Sequence, residues 1–298
     1  MSAATADRGG TAATPAGAVA RSHDRRLHVE SAGAGSPVVL LHGWAMHGGL
    51  FAPVVARLSP RHQVHVVDLP GHGYSPPPAE CSLDAVVAAL DATLDSLDDA
   101  ADADREGERR RGVRPRVTLV GWSLGAAVAL AFAHAHPARV HRLALVGASP
   151  RFVAGPDWPH AMGAETLARF GDELAVSWRH TLQRFLALQV HGSDHGRAAL
   201  HALRHELFAR GEPAPTVLRD ALALLAGLDL RPEVPAITAP TLVIGGGRDT
   251  LTPPGAGRWL AATLPNASGV EIAGAAHVPF LSHPDEFHAA LDGFLDGR

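Results

Sequence analysis

The sequence predicts an α/β fold: a mostly parallel sheet flanked by helices and carrying an inserted, all-helical lid. Three observations lead there. Seven short β-branched runs alternate with helix-length amphipathic stretches, the rhythm of strands joined by crossover helices. Residues 150–230 interrupt that rhythm with helical periodicity and no strand candidate. A Gly-x-Ser-x-Gly pentapeptide, residues 121–125, stands where one run gives way to a helix-forming stretch.

Residues 1–25 are mostly Ala, Gly, Thr and Ser, and such a segment buries too little to offset its ordering entropy. A disordered tail is expected there, without the continuous apolar stretch of a secretory signal. The predicted strands are Leu27–Ser31, Val38–Leu41, Val64–Asp68, Val117–Gly121, Leu143–Val146, Thr241–Ile244 and Val270–Ile272. Between the third and fourth, Leu83, Val86, Val87, Leu90, Leu94 and Leu97 share one face of a helix that Ser82 can cap. Six acids and six arginines crowd residues 98–116, which predicts a charged surface loop within the core. Ala126–Ala135 reads as the next helix, ended by Pro137. The lid, residues 150–230, holds one long apolar-periodic segment from Leu167 to Val190. The core is then residues 26–149 and 231–298, in two pieces around the lid.

Composition removes several chemistries. All 26 basic residues are arginine. Without lysine there is no Schiff base, no pyridoxal anchor and no phosphate-loop lysine. Cys81 stands alone, so the chain can build neither an internal disulfide nor a cysteine-based metal site. The 19 histidines leave a histidine–carboxylate site formally open. A net charge of −4 argues against nucleic acid as a partner. No apolar run reaches membrane-spanning length, so no membrane partner is expected. A cytoplasmic protein is expected, in keeping with the single cysteine.

The strongest chemical signal is Gly121-Trp122-Ser123-Leu124-Gly125. A strand before it and a helix after it make the context of a nucleophile elbow, in which small neighbours let a strained turn expose Ser123 Oγ. A serine hydroxyl needs a base, and the base needs an orienting acid. On such sheets the order along the chain is serine, acid, histidine. Asp249, in Gly245-Gly246-Gly247-Arg248-Asp249-Thr250, and His277, in Gly274-Ala275-Ala276-His277-Val278-Pro279, follow that order in loops at strand carboxyl ends. Asp249 has a rival reading as a turn residue after glycines. His283, beside Pro284, competes with His277 but lies past the loop; the other histidines read as solvated or structural. An oxyanion needs two preset donors. The backbone N–H of Leu124 opens the elbow helix, and that of Trp44 lies in His42-Gly43-Trp44, whose indole is an expected pocket wall. The turn-rich loop Asp68–Ser75 reads as scaffold.

Together the elbow, His42-Gly43-Trp44, the Asp-x-Pro-Gly-x-Gly-x-Ser loop, Asp249 and His277 resemble the α/β-hydrolase superfamily over nearly everything after residue 26. That resemblance implies the fold and a triad of Ser123, Asp249 and His277. A narrower set is similar to the pimeloyl-acyl-carrier-protein methyl ester esterases of biotin synthesis. It comprises the elbow, Ala148-Ser149-Pro150-Arg151-Phe152, Trp158-Pro159, the lid stretch Arg184–Gln189 and the run from Ala275 to Pro284. The resemblance implies a carboxylesterase with Trp44, Leu124 and Phe152 lining the acyl site, and with no metal or organic cofactor. Two departures stand out: Ala126 replaces a third glycine, and Arg151 replaces a smaller residue where it could alter the pocket rim.

The implied substrate is an ester borne by an acidic acyl carrier protein. Arg197, His201 and Arg204 recur at four and three residues on one helical face with Phe208, apart from the apolar face of Leu200, Leu203 and Leu207. That basic face reads either as a carrier-protein docking site or as an ordinary solvated helix face. A monomer is expected. Two alternatives stay open: another Ser-His-Asp hydrolase acting on small esters or carbon–carbon bonds, and a ligand receptor built on the same fold.

Overall fold

The computed structural model describes residues 26–104 and 114–297. The predicted tail and residues 105–113 of the predicted charged loop lie outside the described residues. Each of the seven β-branched runs forms a strand: β1 (Val29–Ala32), β2 (Ser36–Leu41), β3 (His62–Val67), β4 (Val117–Trp122), β5 (Val140–Val146), β6 (Thr241–Gly246) and β7 (Ala267–Ile272). They form one sheet in the order β1-β3-β2-β4-β5-β6-β7. Only β1 runs antiparallel to its neighbour; the other pairings are parallel. Strand β4 lies centrally and is buried along its whole length, which is why Val117–Trp122 shows no polar–apolar alternation and carries only Thr118 as a polar side chain.

Helices α1 (Ala52–Leu58), α2 (Leu83–Asp104) and α3 (Leu124–Ala135) precede the lid helices α4 (Ala164–Gln189), α5 (Gly196–Glu206) and α6 (Pro215–Gly227). The chain then returns to the core through α7 (Pro254–Thr263), α8 (Pro279–Ser282) and α9 (Pro284–Leu295). Ser82 caps α2 as expected, its Oγ accepting the Ala85 N–H at 3.2 Å.

Three expectations need correction. The charged loop was expected from residue 98, but α2 continues to Asp104. Alanine between the acids favours helix there, and Asp98 is held by Arg139 at 2.9 Å. The lid is not helical from residue 150. Residues 150–163 instead form irregular chain tied by the bridges Arg151↔Asp229, Val153↔Met162 and Gly155↔Trp158, because Pro150, Pro156 and Pro159 interrupt any helix.

The long periodic segment is likewise not one straight helix. Ser177, at φ −146° and ψ 66°, breaks α4 into two arms. Phe170 and Phe185 meet at 5.7 Å between ring centroids, and Arg184 pairs with Glu173 at 2.6 Å. A straight helix would hold these pairs about 16–22 Å apart, so the arms fold back on one another.

The lid is fastened to the core by polar contacts of Arg210. Arg210, just past α5, reaches the fully buried Asp68 at 3.0 Å and Glu30 at 2.5 Å. Asp68 also accepts the N–H groups of Gly48 at 2.7 Å and Tyr74 at 2.9 Å. Ser75 Oγ donates to the Asp68 carbonyl at 2.5 Å, so the Asp68–Ser75 loop is cross-tied as a scaffold. Burial alone would raise the Asp68 carboxyl, but His42, the two N–H donors and the Arg210 guanidinium hold it below its ordinary value.

Candidate active site

The carboxyl ends of the parallel strands gather the site on one edge of the sheet. Ser123 follows β4 with φ 55° and ψ −113°, a conformation that L-residues seldom adopt outside functional turns. The sequence fixes this turn by steric exclusion. A Cβ on Gly121 would fall on the Gly125 carbonyl, and one on Gly125 would fall on the Leu41 carbonyl. Only glycine lets the strand, the turn and the helix approach so closely. The Ser123 N–H donates to the Val146 carbonyl at 2.9 Å, which anchors the elbow to β5.

Asp249 follows β6 and His277 follows β7, and both are buried. The Nδ1–H of His277 donates to Asp249 Oδ2 at 2.7 Å. Asp249 Oδ1 accepts the N–H groups of Leu251 at 2.8 Å and Thr252 at 3.0 Å. The Trp122 indole donates to the His277 carbonyl at 2.8 Å, and the His277 N–H donates to the Gln189 carbonyl of α4 at 3.0 Å. The histidine loop is thus held by the elbow on one side and the lid on the other. Gly147, at φ +52°, lies against the imidazole, where a Cβ would come within 3.0 Å of Nδ1.

Ser123 and His277 line one apolar cavity under the lid, together with Trp44, Phe152, Phe170 and Phe185. Among the described residues no hydrogen bond joins Ser123 Oγ to His277; they meet as walls of that cavity. Catalytic hydrogen bonds often tighten only when substrate is bound. The Trp44 ring packs edge-on against Phe185 at 5.0 Å, and its Nε1 donates to the Leu218 carbonyl of α6 at 3.0 Å. Among the described residues, no turn, loop or cap hydrogen bond engages the backbone N–H of Trp44 or of Leu124.

Other sequence candidates sit differently. Leu124 lines a separate small cavity with Leu69, His72 and Val128 and is not among the residues lining the cavity that Ser123 and His277 share. Arg151 is not on the cavity wall; it pairs with Asp157 at 3.2 Å and Asp229 at 3.6 Å. His283 hydrogen-bonds Ser282 Oγ through Nδ1 at 2.9 Å, away from Ser123. His42 is structural. Its Nε2 accepts the Leu69 N–H at 2.9 Å and its Nδ1–H donates to the Gly43 carbonyl at 2.8 Å, while burial pushes it down to about 3. The imidazole is therefore neutral at physiological pH, as this donor–acceptor pattern requires.

Arg197, His201 and Arg204 are exposed along α5, with Leu203 and Leu207 buried beneath. Phe208 leaves that face and packs against Trp178 at 6.0 Å. Sequence reasoning did not single out the cavity residues Leu167, Phe170, Leu222 and Leu251. The first two belonged to an apolar stripe indistinguishable from ordinary core until the fold-back of α4 aimed it at Ser123.

The α/β hydrolase fold family matches residues 36–284. The chain is 44% identical over 270 residues to a pimeloyl-[acyl-carrier protein] methyl ester esterase of Xanthomonas axonopodis pv. citri, covering 90% of this chain and 98% of that protein. The chain belongs to this esterase family. A relative of the same description from Chromobacterium violaceum is 43% identical, over 91% of this chain and 98% of that one. Among solved structures, an esterase from Exiguobacterium antarcticum superposes with a TM-score of 0.80 at 22% identity, covering 91% of this chain and 95% of its own. A bromoperoxidase from Bacillus anthracis also superposes at 0.80, with 24% identity and coverages of 90% and 94%. Those likenesses show the α/β-hydrolase fold; the sequence relatives show the esterase family.

Proposed function

We propose that this chain hydrolyses the methyl ester of pimeloyl-acyl-carrier protein, releasing methanol, in biotin synthesis. Ser123 Oγ attacks the ester carbonyl and His277 takes its proton, while Asp249 keeps Nδ1 of the imidazole protonated. The backbone N–H groups of Trp44 and Leu124 receive the oxyanion. His277 returns the proton to the departing methoxide and then activates the water that frees the acyl group. The observation that carries this reading is the buried His277–Asp249 bond beside a cavity that Ser123 also lines, in a chain of this family. The chemistry draws on protein groups alone.

The apolar cavity suits that substrate. A methyl ester is uncharged and can enter with its methylene chain, whereas a carboxylate would lose its hydration among Trp44, Phe152, Phe170 and Phe185. The neutral ester is favoured inside and the charged product is expelled. Phe152 and Trp44 would flank the acyl chain, with Leu124 contributing through its backbone.

The exposed basic face of α5 is the proposed docking site for the acidic carrier. Among the described residues no carboxylate lies within ion-pair distance of Arg197 or Arg204, so both cations are available to a partner. Replacing Arg197 and Arg204 by Glu should lower kcat/KM for the carrier-bound ester about tenfold or more through charge reversal, with p-nitrophenyl butyrate turnover unchanged. Undiminished turnover of the carrier-bound ester would remove this face from the account. No helix among the described residues is long and apolar enough to cross a membrane, and the protein is proposed to act as a cytoplasmic monomer. The pathway assignment is tested by complementation: a biotin-requiring strain lacking its own esterase should grow with the wild-type chain and fail with Ser123→Ala. Growth with neither would leave a general esterase of this family in place of the proposed role.

A further inference from the structure

Asp249 accepts more than the imidazole. Its Oδ1 takes two backbone N–H groups, and its Oδ2 takes two side-chain donors, His277 Nδ1–H and the hydroxyl of Thr252, each at 2.7 Å. Thr252 is itself buried, and its Oγ1 lies 3.3 Å from His277 Nδ1. A hydroxyl has one proton to give, and Asp249 Oδ2 takes it at the shorter distance. The Thr252 oxygen is then a second acceptor facing the same Nδ1–H. The histidine proton is shared between a carboxylate oxygen and a hydroxyl oxygen that is tied to that carboxylate.

From this geometry we propose that Thr252 is a positioning residue of the esterase reaction. Its hydroxyl fixes Asp249 Oδ2 in line with Nδ1 and gives the Nδ1 proton a second acceptor. Nε2 is thereby left as the free base that faces the cavity with Ser123. The turn Asp249-Thr250-Leu251-Thr252 builds the arrangement locally: the backbone N–H groups of Leu251 and Thr252 clamp one carboxylate oxygen while the Thr252 side chain curls onto the other. The inference rests on the triad reading given above, and its test separates the two.

The test compares Thr252→Val with Thr252→Ser in the full chain, alongside Ser123→Ala and His277→Ala, on p-nitrophenyl butyrate. Both Thr252 variants keep the backbone N–H to Asp249 Oδ1, and valine keeps the shape while removing the hydroxyl. Loss of one hydrogen bond to a charged group predicts a kcat about tenfold lower in Thr252→Val with KM within about twofold, and Thr252→Ser restored to within about threefold of wild type. The low-field proton resonance of His277 Nδ1–H should move in Thr252→Val and return in Thr252→Ser. Thr252→Ala is read on the same scale if the valine variant does not fold. Wild-type kcat in Thr252→Val, or equal losses in the valine and serine variants, would overturn the positioning role while inactive Ser123→Ala and His277→Ala leave the triad intact. Retained activity in Ser123→Ala or His277→Ala would overturn both.

Discussion

Ser123→Ala will lose ester hydrolysis by at least about 10⁴-fold, with the melting temperature of the folded protein close to that of wild type. The size of the loss follows from the role of the group. The hydroxyl supplies the bond-forming atom, and the two backbone donors and the cavity can recover only a small part of its contribution. The fold is spared because the elbow is held by backbone and sterics, not by the hydroxyl. The Ser123 N–H bonds Val146, and Gly121 and Gly125 leave room for no other chain path. The variant should still bind the carrier-bound ester, since nothing in the cavity wall changes. Steady-state hydrolysis on free and carrier-bound esters measures the loss, and circular dichroism with thermal melting checks the fold. Substantial turnover by a well-folded Ser123→Ala would mean that another group attacks the ester.

The second large effect is on stability. Arg210→Ala should destabilise the protein by about 3–5 kcal/mol, because it leaves the buried Asp68 carboxylate without its cation. For a chain of this size that corresponds to a melting temperature lower by about 5–8 °C. The same change frees the end of α5 from β1, since Arg210 also pairs with Glu30. The pH dependence has a definite sign. The Asp68 carboxyl sits below its ordinary value in the folded protein, so its ionisation stabilises the fold above the unfolded aspartate range, and that contribution is lost as the pH falls. The gap between wild type and Arg210→Ala should therefore be widest at neutral pH and narrow in acid, where Asp68 is protonated in both. Melting curves across that range measure it. Asp68→Asn combined with Arg210→Ala should recover part of the loss, because the pair is removed and no uncompensated charge stays behind.

Much of this molecule is legible in its sequence, for identifiable physical reasons. The strands were legible because parallel strands covered on both faces are written as short β-branched runs, of which Val117–Val120 is a clear example. The elbow was legible because its chemistry demands glycine at fixed positions, and the structure puts carbonyl groups where any side chain at 121 or 125 would stand. The pairing of Asp249 with His277 was legible as an order of motifs, since parallel topology delivers both loops to one edge of the sheet. What was not legible depends on tertiary direction. Periodicity marked Leu167 to Val190 as one amphipathic stretch, but nothing local announces that Ser177 breaks it and folds Phe170 onto Phe185. The helical reading of residues 150–230 likewise missed the irregular entry to the lid, where Pro150, Pro156 and Pro159 outweigh the pattern around them. Thr252 carried no signal beyond its place three residues after Asp249. Its hydroxyl gains meaning only from the turn that sets it beside Asp249 Oδ2.

The most direct measurement is mass spectrometry of pimeloyl-acyl-carrier-protein methyl ester incubated with the wild-type chain and with Ser123→Ala. The wild type should convert the carrier to the mass of pimeloyl-carrier bearing a free terminal carboxyl, with methanol released in equal amount, and Ser123→Ala should leave the ester intact. An unchanged carrier with active wild-type enzyme, or cleavage at the thioester in place of the methyl ester, would contradict the proposed reaction.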